Sequence, residues 1–263
     1  RLPDMSGLDV GRKLHEKFPS VHTVMLTVYE DEHYVFEALR AGARGYLLKK
    51  VTDDELTRVL KSVCAGEVIV DQASSRTFGL LNASATRVGT LRANKVVYST
   101  MTDTDVTIYQ LTTTYASIRS TYGISPLTVQ DTHPTAGTAI TVVSGYWKKT
   151  YACNIDGFVY RLEEGDWTWK DSVRYTSACQ TLGGTSGSPV VDNAPGKVVA
   201  VNNPGNEDGE RCTENNPCEV DANGNVTVRE GINYAEETYQ IPACFGTGNK
   251  LDLSASGCVL PKP

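Results

Sequence analysis

The chain changes its hydrophobic rhythm near residue 80. Before that point, apolar side chains recur at the spacing of a helix face. Leu56, Val59, Leu60 and Val63 stand at i, i+3, i+4 and i+7, which predicts an amphipathic helix. Thr52-Asp53-Asp54-Glu55 ahead of them fits a capping box, with Thr at the N-cap and Glu three places on. Ala65-Gly66 offers a left-handed residue to end that helix. Val35, Ala38 and Leu39 mark an earlier helix that stops at Gly42. The short apolar runs Val24-Met25-Leu26 and Tyr46-Leu47-Leu48 suit buried parallel strands. The order helix, strand, helix, strand, helix is an α/β pattern.

From about residue 84 the period shortens to that of strands. Lys95–Tyr98, Val106–Tyr109, Ala139–Val143, Phe158–Tyr160 and Lys197–Val201 are short apolar or alternating runs. Turn signals separate them, among them Asp156-Gly157, Asn193-Ala194-Pro195-Gly196 and Asn223-Gly224-Asn225. Regular short strands with this turn chemistry predict an antiparallel barrel or sandwich. The expected organisation is a partial α/β unit over residues 1–79 and a mainly-β domain over residues 80–263.

Composition adds exclusions. The 263 residues carry a net charge of -6. Residues 1–80 hold 11 Lys+Arg against 12 Asp+Glu, and the remainder 14 against 19. Neither part has the basic excess of a nucleic-acid binder. No apolar run approaches the ~20 residues of a membrane-spanning helix. The chain starts at Arg1 without a charged-then-apolar leader, and so reads as one that begins mid-protein.

Of seven Cys, Cys64 lies in the α/β part, where it is expected to be a buried small hydrophobe. The other six, Cys153, Cys179, Cys212, Cys218, Cys244 and Cys258, fall in the β-rich part. That confinement predicts a disulfide framework, and pairing in sequence order is the simplest of its connectivities. No Cys-x-x-Cys and no neighbouring His supports a metal centre there, and neither a metal nor a cofactor is expected. The disulfides suit an oxidising, extracellular compartment, whereas the α/β part is indifferent.

The motifs Leu2-Pro3-Asp4-Met5-Ser6-Gly7-Leu8, Leu26-Thr27 and Ala38–Lys49 resemble the C-terminal half of a response-regulator receiver domain, a flavodoxin-like α/β fold. The resemblance implies that Thr27 and Lys49 would contact an aspartyl phosphate and that Tyr46 would be the switch aromatic. Strand ends that bring a hydroxyl and an ammonium together suit an anion. It places the phospho-acceptor Asp before Arg1, and Asp4 in the loop after it, so this segment is not expected to be phosphorylated by itself. It also implies cytoplasmic signalling and self-association through residues 31–63.

Gly183-Gly184-Thr185-Ser186-Gly187-Ser188-Pro189 is the sharpest motif in the chain. Gly on both sides of Ser186 lets backbone N–H groups turn toward one point, as an oxyanion hole requires. The motif follows Cys179 and opens the strand Val190-Val191. Residues 85–263 resemble a bacterial, secreted branch of the trypsin- and chymotrypsin-like serine proteases, whose fold is a double β-barrel. The resemblance implies Ser186 as nucleophile and the N–H groups of Gly184 and Ser186 as oxyanion donors. It makes Asp105 the orienter of a base and Gln180 a substrate-pocket residue. Peptide or protein would be the substrate.

The base itself is missing from the pattern. The four His are His15, His22, His33 and His133, and none stands in the family's small-small-His-Cys-like turn. His33 sits in an exposed charge cluster and His133 in a Thr/Pro loop, where it is expected to be an ordinary loop side chain. A Ser hydroxyl needs a base within hydrogen-bond reach, so the expected reading is a serine endopeptidase by descent that does not turn over in this chain. The alternatives are a pseudoprotease that binds peptides, a receiver-type dimerisation module, and an artefactual join near residues 76–84. Asn82-Ala83-Ser84 and Asn225-Val226-Thr227 match glycosylation acceptors weakly. Trp147, Trp167 and Trp169 are expected to pack inside the barrel.

Overall fold

The computed structural model describes residues 5–28, 34, 37–39, 41–64, 69–70 and 76–262. Two compact units emerge. The first comprises residues 1–80, 89–99 and 107–117, the second residues 81–88, 100–106 and 118–263.

In the first unit, helix α1 (Gly7–Lys17) starts from a capping box that the sequence reading did not name. The Asp9 N–H donates to Ser6 Oγ at 3.1 Å, and the Ser6 N–H donates back to Asp9 Oδ2 at 3.2 Å. Strands β1 (Thr23–Thr27) and β2 (Ala43–Leu48) follow, then helix α2 (Asp53–Cys64) and strand β3 (Ile69–Val70). The strands form a parallel sheet in the order β1-β2-β3. Tyr46, Leu47 and Leu48 are all buried, as a strand covered on both faces requires.

Leu56, Val59 and Val63 of α2 pack with Leu47, Val24 and Val51. Leu60 departs from the expected face and is exposed, at the flank of the stripe. Cys64 is also exposed, not buried as expected; it follows Val63 and so turns off the apolar face. Gly42 has φ +79, and a Cβ there would collide with the His15 ring, so both conformation and close approach require glycine. Residues 34 and 37–39 are helical. Asp4, His33, Val35 and the Ala65-Gly66 helix end lie outside the described residues.

Strands β4 (Thr77–Leu81), β5 (Arg87–Thr100) and β7 (Val106–Leu111) form a separate three-stranded sheet in the order β4-β5-β7, with the short β6 (Thr102–Asp103) between the last two in sequence. Helix α3 spans Tyr115–Tyr122.

The second unit is built on β8 (Ala139–Ser144), β9 (Lys149–Glu164), β10 (Trp167–Tyr175), β11 (Pro189–Asp192), β12 (Val198–Gly205) and β15 (Asn233–Glu237). Antiparallel pairing runs β9-β8-β11-β12-β15-β10 and returns to β9. The sheet therefore closes on itself as a six-stranded barrel and leaves none of these strands as an edge. Strands β13 (Cys218–Val220) and β14 (Val226–Val228) extend it beyond β9, and β6 pairs parallel to β10.

Alternation along the strands sends Ile140, Val142, Ile155, Val173, Val190, Val199 and Ala235 inward, where they are nearly or fully buried. Burying each of these valine and isoleucine side chains contributes roughly 1.5–3 kcal/mol. Disulfides join Cys153–Cys179, Cys212–Cys218 and Cys244–Cys258, the sequence-order pairing. No helix among the described residues is long and apolar enough to cross a membrane.

Candidate active site

The Gly-rich motif forms a turn between the Cys179 loop and β11. Gly184 and Gly187 take φ +85 and +82, values that L side chains rarely adopt, on either side of Thr185-Ser186. The turn is tied at its base. The Gly187 N–H donates to Asn202 O at 2.9 Å, the Ser188 N–H to Thr185 O at 3.0 Å, and the Thr185 hydroxyl to Leu182 O at 2.6 Å. Ser186 itself is exposed. Among the described residues, neither its hydroxyl nor the N–H groups of Gly184 and Ser186 is engaged. Those two N–H groups are thus available to a ligand oxygen.

Below the turn lies a buried polar network that the sequence reading missed. Asn202 Nδ2 donates to Thr185 Oγ1 at 3.1 Å, and Tyr175 OH donates to Asn202 Oδ1 at 3.0 Å. Burial, with the Glu236 carboxylate nearby, pushes the Tyr175 hydroxyl well above its ordinary pKa, so it remains a donor. Beside it, Ser172 Oγ donates to Glu236 Oε1 at 2.9 Å and Asn203 Nδ2 reaches the same oxygen at 3.5 Å. Burial and the Asp105 carboxylate push Glu236 up to about 8. The available signal was the pair Asn202-Asn203 directly after the apolar run Val198–Val201 on a central strand. Polar side chains there must be paired when buried.

The structure distributes the other candidate residues as follows. Asp105 lies between β6 and β7 and acts on Glu236 through its carboxylate and its backbone N–H. Gln180 is exposed in the loop before the turn, with its Nε2 donating to Ser177 O at 2.7 Å. Asn233 fastens that same loop, donating to Cys179 O at 3.0 Å and accepting from the Thr181 hydroxyl at 2.7 Å. A side chain at Gly205 would collide with Asn233, so glycine is needed there. Thr27 and Lys49 meet at the C-terminal ends of β1 and β2, where the Lys49 N–H donates to Thr27 O at 2.6 Å. Tyr46 is buried among Ala38, Ala43, Leu48 and Met25.

Two expectations need correction. Trp169 is buried in the barrel, but Trp147 is half exposed, and its indole Nε1 donates to Gly183 O at 2.9 Å. It lies in the β8–β9 turn, which carries it out of the core and onto the Gly-rich motif. Its neighbour Tyr146 is 76% exposed. His133 is no ordinary loop side chain either. Its Nδ1 stands 2.6 Å from Pro134 O, and its Nε2 stands 3.1 Å from Glu237 Oε1 and 3.2 Å from Asp171 Oδ2. Its ring packs edge-on against Phe158 and Tyr239. Both ring nitrogens are committed away from Ser186. In the first unit, His22 Nδ1 bonds Val63 O at 2.9 Å. Among the described residues, Ser186 has no His partner.

The family model of the trypsin-like peptidase domain matches residues 59–201, more than half of the chain. The chain belongs to the trypsin-like peptidase family. Ahead of this peptidase domain, residues 1–61 match the response regulator receiver domain. In that region the chain is similar to the oxygen regulatory protein NreC of Staphylococcus haemolyticus, with 44% identity over 69 residues. That match covers 26% of this chain and 32% of the relative. The NreC of Staphylococcus carnosus is 37% identical over 87 residues, covering 33% of this chain and 39% of the relative. The chain thus spans about a third of the length of the curated relatives it matches. Among solved structures it is similar to the active form of the Rv3671c protease of M. tuberculosis. That match has 14% identity and a TM-score of 0.38 and covers 66% of each chain.

Proposed function

We propose that Ser186 occupies the nucleophile position of a serine endopeptidase site, and that this chain alone binds peptides there without turning them over. The observation that carries this reading is the turn itself: an exposed, unengaged Ser186 hydroxyl next to two unengaged N–H donors, on Gly184 and Ser186, held in place by Asn202 and Thr185. A peptide carbonyl oxygen placed between the donors would be polarised. Acyl transfer also needs a group to take the Ser186 proton as its oxygen attacks. Loss of the Ser or the His of such a triad costs on the order of 10⁶ in kcat. Asp105 would orient a base that reached the site, and Gln180 would line the substrate pocket without selecting charge.

The accompanying assignments are also proposals. The boundary between the receiver and peptidase parts lies near residue 80. The receiver part pairs with a second copy through residues 31–63, a reading favoured by the exposed Leu60 on α2. Thr27 and Lys49 form its anion-binding end, with Tyr46 as the aromatic that reports on it.

A fluorophosphonate probe tests the catalytic half of this reading. The expected result is no labelling of Ser186 in the isolated chain. Labelling that disappears in Ser186→Ala would establish an active nucleophile instead. Titration with a labelled peptide library tests the binding half; an affinity that survives Ser186→Ala is expected, and no measurable affinity in either protein would refute it.

A further inference from the structure

We propose that His133, Asp171 and Glu237 form a binding site for a divalent transition cation of the Zn²⁺ type. The three side chains come from separate elements: the loop before β8, the middle of β10, and the end of β15. Pairing of Val173 with Ala235 sets the register that carries Asp171 across from Glu237. Their ligand atoms all lie within 4.8 Å of one another. His133 Nε2 is 3.2 Å from Asp171 Oδ2 and 3.1 Å from Glu237 Oε1. Donors bound to one tetrahedral Zn²⁺ at ordinary bond lengths stand about 3.3 Å apart, so the spacing needs little adjustment.

Proton placement supports the same conclusion. His133 Nδ1 is 2.6 Å from Pro134 O. A carbonyl oxygen can only accept, so Nδ1 carries the hydrogen. The Nε2 then faces the Glu237 and Asp171 carboxyl oxygens. This is how metal-bound imidazoles are held, the far nitrogen donating to a backbone carbonyl.

The Glu237 side chain is only 2% exposed, and its carboxyl lies against that of Asp171 within hydrogen-bonding reach. Two carboxyls held this close repel when both are charged, and a cation among them satisfies both together with Nε2. Tyr239 OH donates to Asp171 Oδ2 at 3.2 Å and orients that ligand from outside. His133 and Asp171 are each more than a third exposed, so solvent can reach the site as a fourth ligand. One imidazole with two carboxylates suits Zn²⁺ better than Ca²⁺, which takes six to eight oxygens.

The test uses the full chain with Cys64→Ser, because the exposed Cys64 thiol would otherwise compete for metal. After stripping with EDTA, Zn²⁺ alone is added to protein labelled with ¹⁵N at histidine. The expected result is a shift of His133 Nε2 while Nδ1 stays protonated, and one Zn²⁺ per chain retained through dialysis. Glu237→Gln should weaken retention at least about tenfold, and Tyr239→Phe by less. Excess Ca²⁺ should not displace the metal. An unmoved His133 resonance, unchanged retention in Glu237→Gln, or displacement by Ca²⁺ would each overturn the proposal. If Glu237→Gln fails to fold, the His133 resonance in the otherwise unaltered chain decides the matter.

Discussion

The parallel sheet of the first unit and the closed barrel of the second treat apolar side chains differently. β1 stands at the end of its sheet, where Leu26 is 47% exposed and Val28, just past it, is 68% exposed. Val190 and Val199, no more apolar, are fully buried because each lies on a strand with a neighbour on both sides. Hydropathy selects which residues could be buried; position in the sheet decides which of them are. The second unit adds three covalent ties, whereas the parallel sheet relies on α1 and α2 packing over β2.

The sharpest challenge to this comparison is removal of a tie. Cys153 and Cys179 are 26 residues apart, so replacing both by Ala should destabilise the barrel by about 3.5 kcal/mol on a chain-entropy estimate. The same change at Cys212 and Cys218, only six apart, should cost about 2 kcal/mol. Denaturant unfolding followed through Trp169 fluorescence measures both, and equal losses would show that loop closure is not what these bridges contribute. Next in size is the contrast between two leucines of one sheet. Leu47→Ala should cost about 3 kcal/mol, and Leu26→Ala less than about 1 kcal/mol. Hydrogen exchange at β1 and β2 amides should report the difference while barrel amides stay protected.

Smaller effects sharpen the account of the Ser186 turn. Tyr175→Phe deletes the donor to Asn202 Oδ1 in a buried site and should cost about 1–2 kcal/mol. Because Asn202 also holds Thr185, exchange of the Ser188 amide should quicken in that variant; an unchanged rate would separate the network from the turn. The smallest effect concerns Asp221. The Asn225 side chain and the backbone N–H groups of Asn223 and Asn225 donate to its carboxylate and hold its pKa below the ordinary value. Its contribution to the 221–225 turn is therefore full above the ordinary carboxylate range and disappears as pH falls through the lower folded value. The protection factor of the Asn223 amide should fall in the wild type as pH drops below the ordinary carboxylate range, and Asp221→Asn should abolish that dependence.

Local signals made much of the fold legible. The stripe Leu56, Val59 and Val63 found its buried face, and the runs at residues 24–26 and 46–48 became paired strands. The Cys pairs closed in sequence order because each is close along the chain or brought close by the β9–β10 hairpin. The Ser186 turn was legible because flanking glycines state a backbone requirement directly. Its supports were not: Tyr175, Asn202 and Glu236 are separated by 27 and more residues, and only the closing of β10, β12 and β15 sets them together. Trp147 and Cys64 were misplaced for a related reason, since an apolar residue in a turn or at a helix end has no periodic neighbours to assign its face.

The sequence by itself determined which residues could form a core, where the chain must turn, and which serine sits between two glycines. These are properties of a few adjacent residues, fixed by side-chain period and backbone sterics. Only the tertiary structure decided that the six strands close, that Glu236 and Glu237 are buried, and that His133 meets Asp171 and Glu237. Those outcomes depend on pairing over long separations, and burial then changes the chemistry of each carboxylate by removing the water that would have stabilised its charge.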